Sequence, residues 1–325
     1  MSKAIRIHEH GGPEVLRWED VPRPSPGPGE ALVRHAAVGL NYIDVYFRTG
    51  LYKPPSLPAT IGMEAAGTVE EVGEGVTGLA KGDRVAYASA PIGAYAQWRA
   101  IKADRLVKLP DAISFDTAAA MMLQGMTAQY LIRRVHVVKA GETILVHAAA
   151  GGVGLILCQW AKHLGATVIG TVSSDEKAAL AKAHGCDHPV IYTREDFSAR
   201  VRELTDGKLL PVVYDSVGKD TFAKSLDCLS PFGMMVVYGN ASGPVPPFDI
   251  GQLAAKGSLF LTRPTLATYT AKRDDLIASA NDLFDVVEKG IVKIEINQRF
   301  PLAEAAAAHT ALEARKTTGS TLLMP

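Results

Sequence analysis

The residues best suited to do chemistry in this chain are three glycines and the segment around them. In TILVHAAAGGVGLILCQWAKHLGA, residues 143–166, an apolar run leads into Gly151-Gly152-Val153-Gly154, and a helical pattern begins at once. Val153, Leu157, Trp160, Ala161 and Leu164 recur at helical spacing, while Gln159, Lys162 and His163 fall elsewhere. Glycines let a backbone turn tightly and approach a pyrophosphate, whose charge is received by free N–H groups at a helix N-terminus. Strand, turn, helix and second strand in this order predict a dinucleotide site, with Gly151, Gly152 and Val153 at the phosphates. Ala149 stands where the first glycine of the G-x-G-x-x-G form would be.

The end of the next strand bears on which dinucleotide. An acidic residue there would accept hydrogen bonds from ribose hydroxyls. The chain has instead TVIGTVSSDEK, with Ser173 and Ser174 at the strand end and Lys177 one turn into a helix. Small hydroxyls beside an ammonium suit a 2′-phosphate, and each charge-assisted hydrogen bond favours it by roughly tenfold or more. Asp175 and Glu176 would oppose a phosphate if they pointed inward, and Lys177 reads equally well as a solvated helix-face lysine.

These residues need a scaffold. From residue 143 onward strands and helices alternate (TILVHAA, VGLILCQWAKHLG, TVIGTV, DEKAALAKAHG, VIYT, REDFSARVRELT, PVVYDSVG, FAKSLDCLS, GMMVVYG, SLFLT), which predicts an α/β fold with a doubly wound parallel sheet. The first third is different: short β-rich pieces such as EALVRHAAVG, GTVEEVG and DRVAYAS lie between Pro/Gly clusters and predict a mostly antiparallel β unit. DTAAAMMLQGMTAQYLIRR predicts a long helix between the two textures. After residue 264 helical segments return, ending in a short strand, STLLMP, that needs partners in the first unit.

Bulk properties exclude several classes. The 325 residues suffice for two cores, and 34 basic against 34 acidic side chains leave no global field toward nucleic acid or anionic lipid. Three cysteines, Cys158, Cys186 and Cys228, are too few for a disulfide framework and point to a reducing, cytoplasmic compartment. The uncharged run 144–161 is long enough to span a bilayer, but its glycines, His147 and Gln159 fit a strand, turn and helix.

Two decoys are set aside. His184, Cys186 and His188 alternate in AHGCDHP, yet the stretch reads as a loop between helix and strand. Cys158 lies inside the glycine-loop helix and reads as core. Tyr46 and Tyr52, in IDVYFRTGLYKPP, are open to two readings: phenols that bond, stack on or protonate a carbonyl substrate, or aromatics covering a core edge.

GETILVHAAAGGVGLILCQWAK resembles the signature of the quinone oxidoreductase and zeta-crystallin branch of the medium-chain dehydrogenase/reductase superfamily. The likeness runs through VGLNYIDVYFRTGLY, PATIGMEAAGTVEEVG, GDRVAYA, VVYDSVG, GSLFLTRP and RKTTGSTLLMP, and so over the whole chain. The resemblance implies a GroES-like catalytic domain, residues 1–125 and 265–325, around a Rossmann NADPH-binding domain, residues 126–264. It implies a homodimer in which SLFLT continues the partner's sheet. Lys177, Tyr192 and Arg315 would surround the 2′-phosphate. Asn41, Tyr46 and Thr127 would lie near the nicotinamide, with Val217, Gly239, Asn240 and Arg263 along the rest of the cofactor. Tyr52 and Met63 would line the substrate side. Zinc-dependent members resemble the chain but carry a cysteine in a G-x-C-H-type segment and a histidine in G-H-E. Here those places read VGLNYID and IGMEAAG, and Glu64 alone makes no metal site.

The expectation is a zinc-free, NADPH-dependent reductase of quinones. A quinone is electrophilic enough that hydrogen-bond donors can receive its developing charge without a Lewis acid. Reduction of an activated C=C bond, as in enoyl or alkenal reductases of the superfamily, needs the same hydride donor and is the nearest alternative. Relatives resembling the chain also serve as lens proteins or bind RNA, but no basic run interleaved with aromatics supports a nucleic-acid partner.

Overall fold

Six short runs in the middle of the chain form one parallel sheet. Their spatial order is His188–Ile191, Thr167–Val172, Thr143–Val146, Leu210–Asp215, Leu229–Val237 and Phe260–Thr262. Taken along the chain, this is the doubly wound order of a Rossmann sheet. Parallel neighbours need crossovers, and the helices Gly152–His163, Asp175–Ala183, Phe197–Leu204 and Phe222–Leu226 supply them. Thr143–Val146 has a partner on each side, and its Ile144, Leu145 and Val146 are all fully buried. A strand covered on both faces has no reason to alternate, which explains its continuous apolar run.

The computed structural model describes residues 1–88 and 91–325. They fall into two compact units: Met1–Met126 with Thr270–Glu288 and Ile294–Pro325, and Thr127–Tyr269 with Lys289–Lys293. Each has its own apolar core, one around Ile5, Val33, Ile61, Val85 and Leu323, the other around Leu145, Ile169, Val213, Phe222 and Met235.

The first unit is built around the long strand Glu30–Leu40, which pairs antiparallel with Glu64–Val72, Trp98–Lys102 and Ser320–Met324. Two elements differ from the sequence reading. A helix, Tyr42–Thr49, stands in the β-rich first third, closed by a capping box between Asn41 and Asp44 and by Gly50 in the left-handed conformation. A strand, Ile296–Pro301, pairs in parallel with Ser320–Met324 where helices alone were expected to precede the tail. The long helix Phe115–Tyr130 passes into a π-helical turn, Leu131–Val135. The run 144–161 divides into strand, turn and helix, and among the described residues no helix is long and apolar enough to cross a membrane.

Candidate active site

In the second unit, the positions read as cofactor-binding lie just beyond the carboxyl ends of parallel strands. Gly151 to Val153 follow Thr143–Val146, Ser173 and Ser174 follow Thr167–Val172, and Tyr192 follows His188–Ile191. Val217 follows Leu210–Asp215, while Gly239 and Asn240 follow Leu229–Val237. Because the strands are parallel, all of these loops emerge at one edge of the sheet, where doubly wound folds bind ligands.

The glycine loop has the form a pyrophosphate requires. Gly151 is the N-cap of the helix Gly152–His163 with no side-chain cap, and the first turn carries no acidic residue. Gly151, Gly152 and Val153 remain half-buried rather than sealed. A Cβ on Gly154 would stand 2.3 Å from the Ala148 carbonyl oxygen, so only glycine lets helix and loop approach this closely. Free N–H groups at the positive end of a helix, with no acidic residue in its first turn, fit a dinucleotide phosphate.

The neighbouring loops are tied to one another. Ala241 N donates to Ser216 O and Ser242 N to Val217 O, joining the Val217 loop to the Gly239–Asn240 loop. With its amide turned to satisfy both ends, Asn240 donates to Gly239 O at 3.0 Å and accepts from Arg263 Nη2 at 3.3 Å. Asp215, fully buried, accepts from Val217 N, Gly218 N and the Thr221 hydroxyl. Nearby His147 bridges Thr171 Oγ1 and Ser225 Oγ, each at 2.9 Å, and burial lowers its pKa. His147 entered the sequence reading only as a polar interruption of the run 144–161, and Asp215 not at all. Their signal was a polar residue at the buried end of an apolar strand, which requires a partner.

At the end of Thr167–Val172, Ser174 caps the next helix by accepting from Lys177 N at 3.3 Å. Asp175 is drawn into a two-pronged ion pair with Arg194, Oδ2–Nη1 2.9 Å and Oδ1–Nη2 2.5 Å, which holds its carboxyl below the usual range. Its charge is therefore matched locally. The Ser174 hydroxyl beside Glu176 lowers that carboxyl also. Thr127 hydrogen-bonds Tyr130, whose phenol burial raises in pKa and whose ring stacks on Tyr269 with centroids 4.6 Å apart.

The first unit holds the remaining predicted residues. Tyr42, Tyr46 and Tyr52 form a ring-to-ring series, with centroids 5.7 and 5.3 Å apart, and Phe47 packs on Tyr52. Asn41 is buried and donates from Nδ2 to Glu64 Oε2 at 2.6 Å. Glu64, next to the buried Met63, also accepts from Leu123 N at 2.7 Å. Burial pushes its carboxyl up to about 8 against the opposing pull of those hydrogen bonds. Arg315 is exposed, two residues beyond the helix Ala305–Glu313, in the left-handed region at φ 58°.

His184, Cys186 and His188 are not gathered together. His184 Nδ1 pairs with Leu180 O and the buried Cys186 sulfur faces Val168 O. Among the described residues no three His, Cys, Asp or Glu side chains form a group able to hold a metal.

Residues 27–111 match the family model of the alcohol dehydrogenase GroES-like domain, and 152–273 that of the zinc-binding dehydrogenases. The chain is 56% identical to a quinone oxidoreductase of Pseudomonas aeruginosa, with 100% of both chains covered. It is 48% identical to a 2-haloacrylate reductase of Burkholderia sp, covering 100% of this chain and 99% of that one. The crystal structure of Escherichia coli quinone oxidoreductase complexed with NADPH matches with a TM-score of 0.98 at 48% identity, over 99% of this chain and 100% of that one.

Proposed function

The chain belongs to the quinone oxidoreductase family of the medium-chain dehydrogenase/reductase superfamily, and on that footing we propose that it reduces quinones with NADPH. The observation that carries this reading is the uncapped glycine N-terminus at the carboxyl edge of the parallel sheet. When bound, the reduced dinucleotide supplies hydride equivalents to the acceptor.

The chain's own residues bind and orient. Gly152 and Val153 present N–H groups to the pyrophosphate, and Gly151, whose own N–H bonds Ala148 O at 2.9 Å, lets the backbone approach it. Ser173, Ser174, Lys177, Tyr192 and Arg315 receive the 2′-phosphate, while Thr127, Val217, Gly239, Asn240 and Arg263 hold the remainder. Asn41 and Tyr46 serve the nicotinamide end, and Tyr52 and Met63 form the substrate wall. A thioether at residue 63 supplies an adaptable apolar surface instead of a metal ligand. Hydrogen-bond donors then receive the charge that develops on the quinone oxygen, and zinc is not required.

In this reading residues 1–125 and 265–325 form the catalytic domain and 126–264 the NADPH-binding domain. A homodimer is supported by the edge strand Phe260–Thr262, whose Phe260 and Leu261 are exposed. Three cysteines, all buried and none in a disulfide, suit the cytoplasm.

One further substrate class has a specific observation behind it: the Burkholderia relative reduces, by its name, a haloacrylate, an activated alkene. NADPH oxidation measured over a panel of quinones and enones tests both. Turnover of naphthoquinones at higher kcat/KM than enones is expected. Turnover of enones alone would replace quinone reduction as the main activity.

A further inference from the structure

Asp44 stands at the end of a buried run of hydrogen bonds whose direction is fixed by chemistry. Arg48 Nη1 lies 3.1 Å from His309 Nδ1, and a guanidinium only donates, so Nδ1 accepts and the imidazole proton sits on Nε2. Burial, then the Arg48 charge, lowers His309 to about 3, which leaves the ring neutral. His309 Nε2 therefore donates to the Tyr95 oxygen at 3.0 Å, and the Tyr95 hydroxyl donates to Asp44 Oδ2 at 3.0 Å. The same Oδ2 accepts the backbone N–H of Asn41 at 2.9 Å. Asp44, Tyr95 and His309 are fully buried, so water competes for none of these bonds.

Tyr95 supports both groups that the functional reading brings to the reacting end. Through Asp44 it holds the capping box. There Asp44 N donates to the Asn41 side chain and Asn41 N donates to Asp44, which gives the Asn41 amide one orientation, with Nδ2 toward Glu64. Through its own backbone Tyr95 holds the segment that leads into Met63. Tyr95 N donates to Ile61 O at 2.9 Å, and Gly93 N and Ala94 N both donate to Gly62 O. Gly62, at φ 91°, lets the ring come in: a Cβ there would stand 2.2 Å from Tyr95 Cδ1.

We propose that Tyr95 is a positioning residue for the nicotinamide and substrate end of the site: by donating to an ionised Asp44 it holds the capping box, and with it Asn41 and the turn that carries Tyr46, in the arrangement that reacts. The inference rests on the placement of Asn41, Tyr46 and Met63 given above. The arrangement is sensitive at Asp44 Oδ1, which is buried with no partner among the described residues. A proton taken there turns Oδ2 from a carboxylate oxygen into a carbonyl one. Both bonds it accepts weaken, and negative charge is lost from a helix N-terminus. Besides Tyr95 and His309, the charged and titratable groups around Asp44 are Glu64, from the strand Glu64–Val72, and Arg48, one turn along its own helix. Burial outweighs the bonds from Asn41 and Tyr95 and raises the Asp44 carboxyl to about 7.

The test follows kcat/KM for a quinone at saturating NADPH, and the emission of bound NADPH, across pH 6–9. In wild type kcat/KM is expected to rise with pH, and the emission to change, through one midpoint near 7. The rise should be about fivefold, since charge-assisted hydrogen bonds are roughly twice as strong as neutral ones. Stability falls over the same range as Asp44 gives up its proton, so a merely structural role would send the rate the other way. Tyr95→Phe keeps the ring against Gly62 and removes the phenol. Its midpoint should climb by about one pH unit, the value of a hydrogen bond to a charged group. Asp44→Asn keeps an acceptor oxygen and cannot ionise, so its profile should lose the step near pH 7 and stay at the wild-type acid limit. A wild-type rate that follows stability downward, an emission that ignores pH, or a Tyr95→Phe midpoint that does not move overturns the inference. A wild type that binds NADPH and turns over no quinone overturns the functional reading alone, since the emission titration still decides the part played by Tyr95.

Discussion

Arg48 and Glu313, at opposite ends of the chain, form a two-pronged ion pair in which Nη1–Oε2 and Nη2–Oε1 are both 2.8 Å. The pair is lopsided. Arg48 is 1% exposed, with Gly11 O and His309 Nδ1 as its other partners, whereas a third of the Glu313 side chain meets solvent. Losing one partner is therefore not equivalent to losing the other.

Glu313→Ala leaves a guanidinium buried without a counter-charge and is expected to lower unfolding free energy by about 3 kcal/mol. Arg48→Met leaves a carboxylate that can hydrate, and its cost should be smaller, about 1–2 kcal/mol. Urea unfolding of both variants measures the difference. Equal losses would mean that Glu313 is not what compensates Arg48.

Stability should fall as pH rises from about 6.5 to 8. Burial raises Asp44 to about 7 and Glu64 to about 8, so the folded state keeps protons that the unfolded state has released. The stabilising contribution of a raised carboxyl is complete below its unfolded pKa and is lost as pH climbs through the folded one. His309 acts in the opposite sense. Burial, then the Arg48 charge, lowers it to about 3, so its contribution is present above pH 6.5 and fades as pH drops toward 3. Above 6.5 the imidazole is neutral in both states and drops out, and above about 8 the Cys228 thiol, which burial raises, adds to the decline that the carboxyls begin. Urea midpoints from pH 5 to 9 should decline on the alkaline side, and Asp44→Asn should flatten that decline.

Selectivity for the phosphorylated cofactor should follow local charge. Lys177→Ala and Arg315→Ala are each expected to raise KM for NADPH about tenfold and leave KM for NADH almost unchanged. Arg194→Ala offers a finer check, since Arg194 holds the Asp175 carboxylate in the structure. Freed, that carboxylate should weaken NADPH by two- to threefold at low salt, and less as salt screens it. Parallel losses with both cofactors would remove Lys177 and Arg315 from the 2′-phosphate.

What the sequence made legible was local. The glycine loop, its helix and the two serines follow one another within a few turns, and alternating strands and helices leave few topologies to choose among. The helix Tyr42–Thr49 was hidden by its shortness among β-rich pieces, although Asn41 and Asp44 spell a capping box three residues apart. The strand Ile296–Pro301 has half-buried residues alternating with exposed ones and so little apolar content to announce it. The buried polar groups of the first unit were least visible. Glu64 meets Leu123, Tyr95 meets Asp44 and His309, and Ser320 meets Gln124, all across distant segments that only the folded sheet brings together.

The strand Ser320–Met324 runs between Glu30–Leu40 and Ile296–Pro301. Its position has a consequence for the order of events at the ribosome. The parallel sheet of the second unit has every strand between residues 143 and 262, so it can close while the chain is still growing. The first unit cannot: Glu30–Leu40 emerges early but keeps an unfilled edge until the last strand has been made. The half whose synthesis starts first is the half whose folding finishes last.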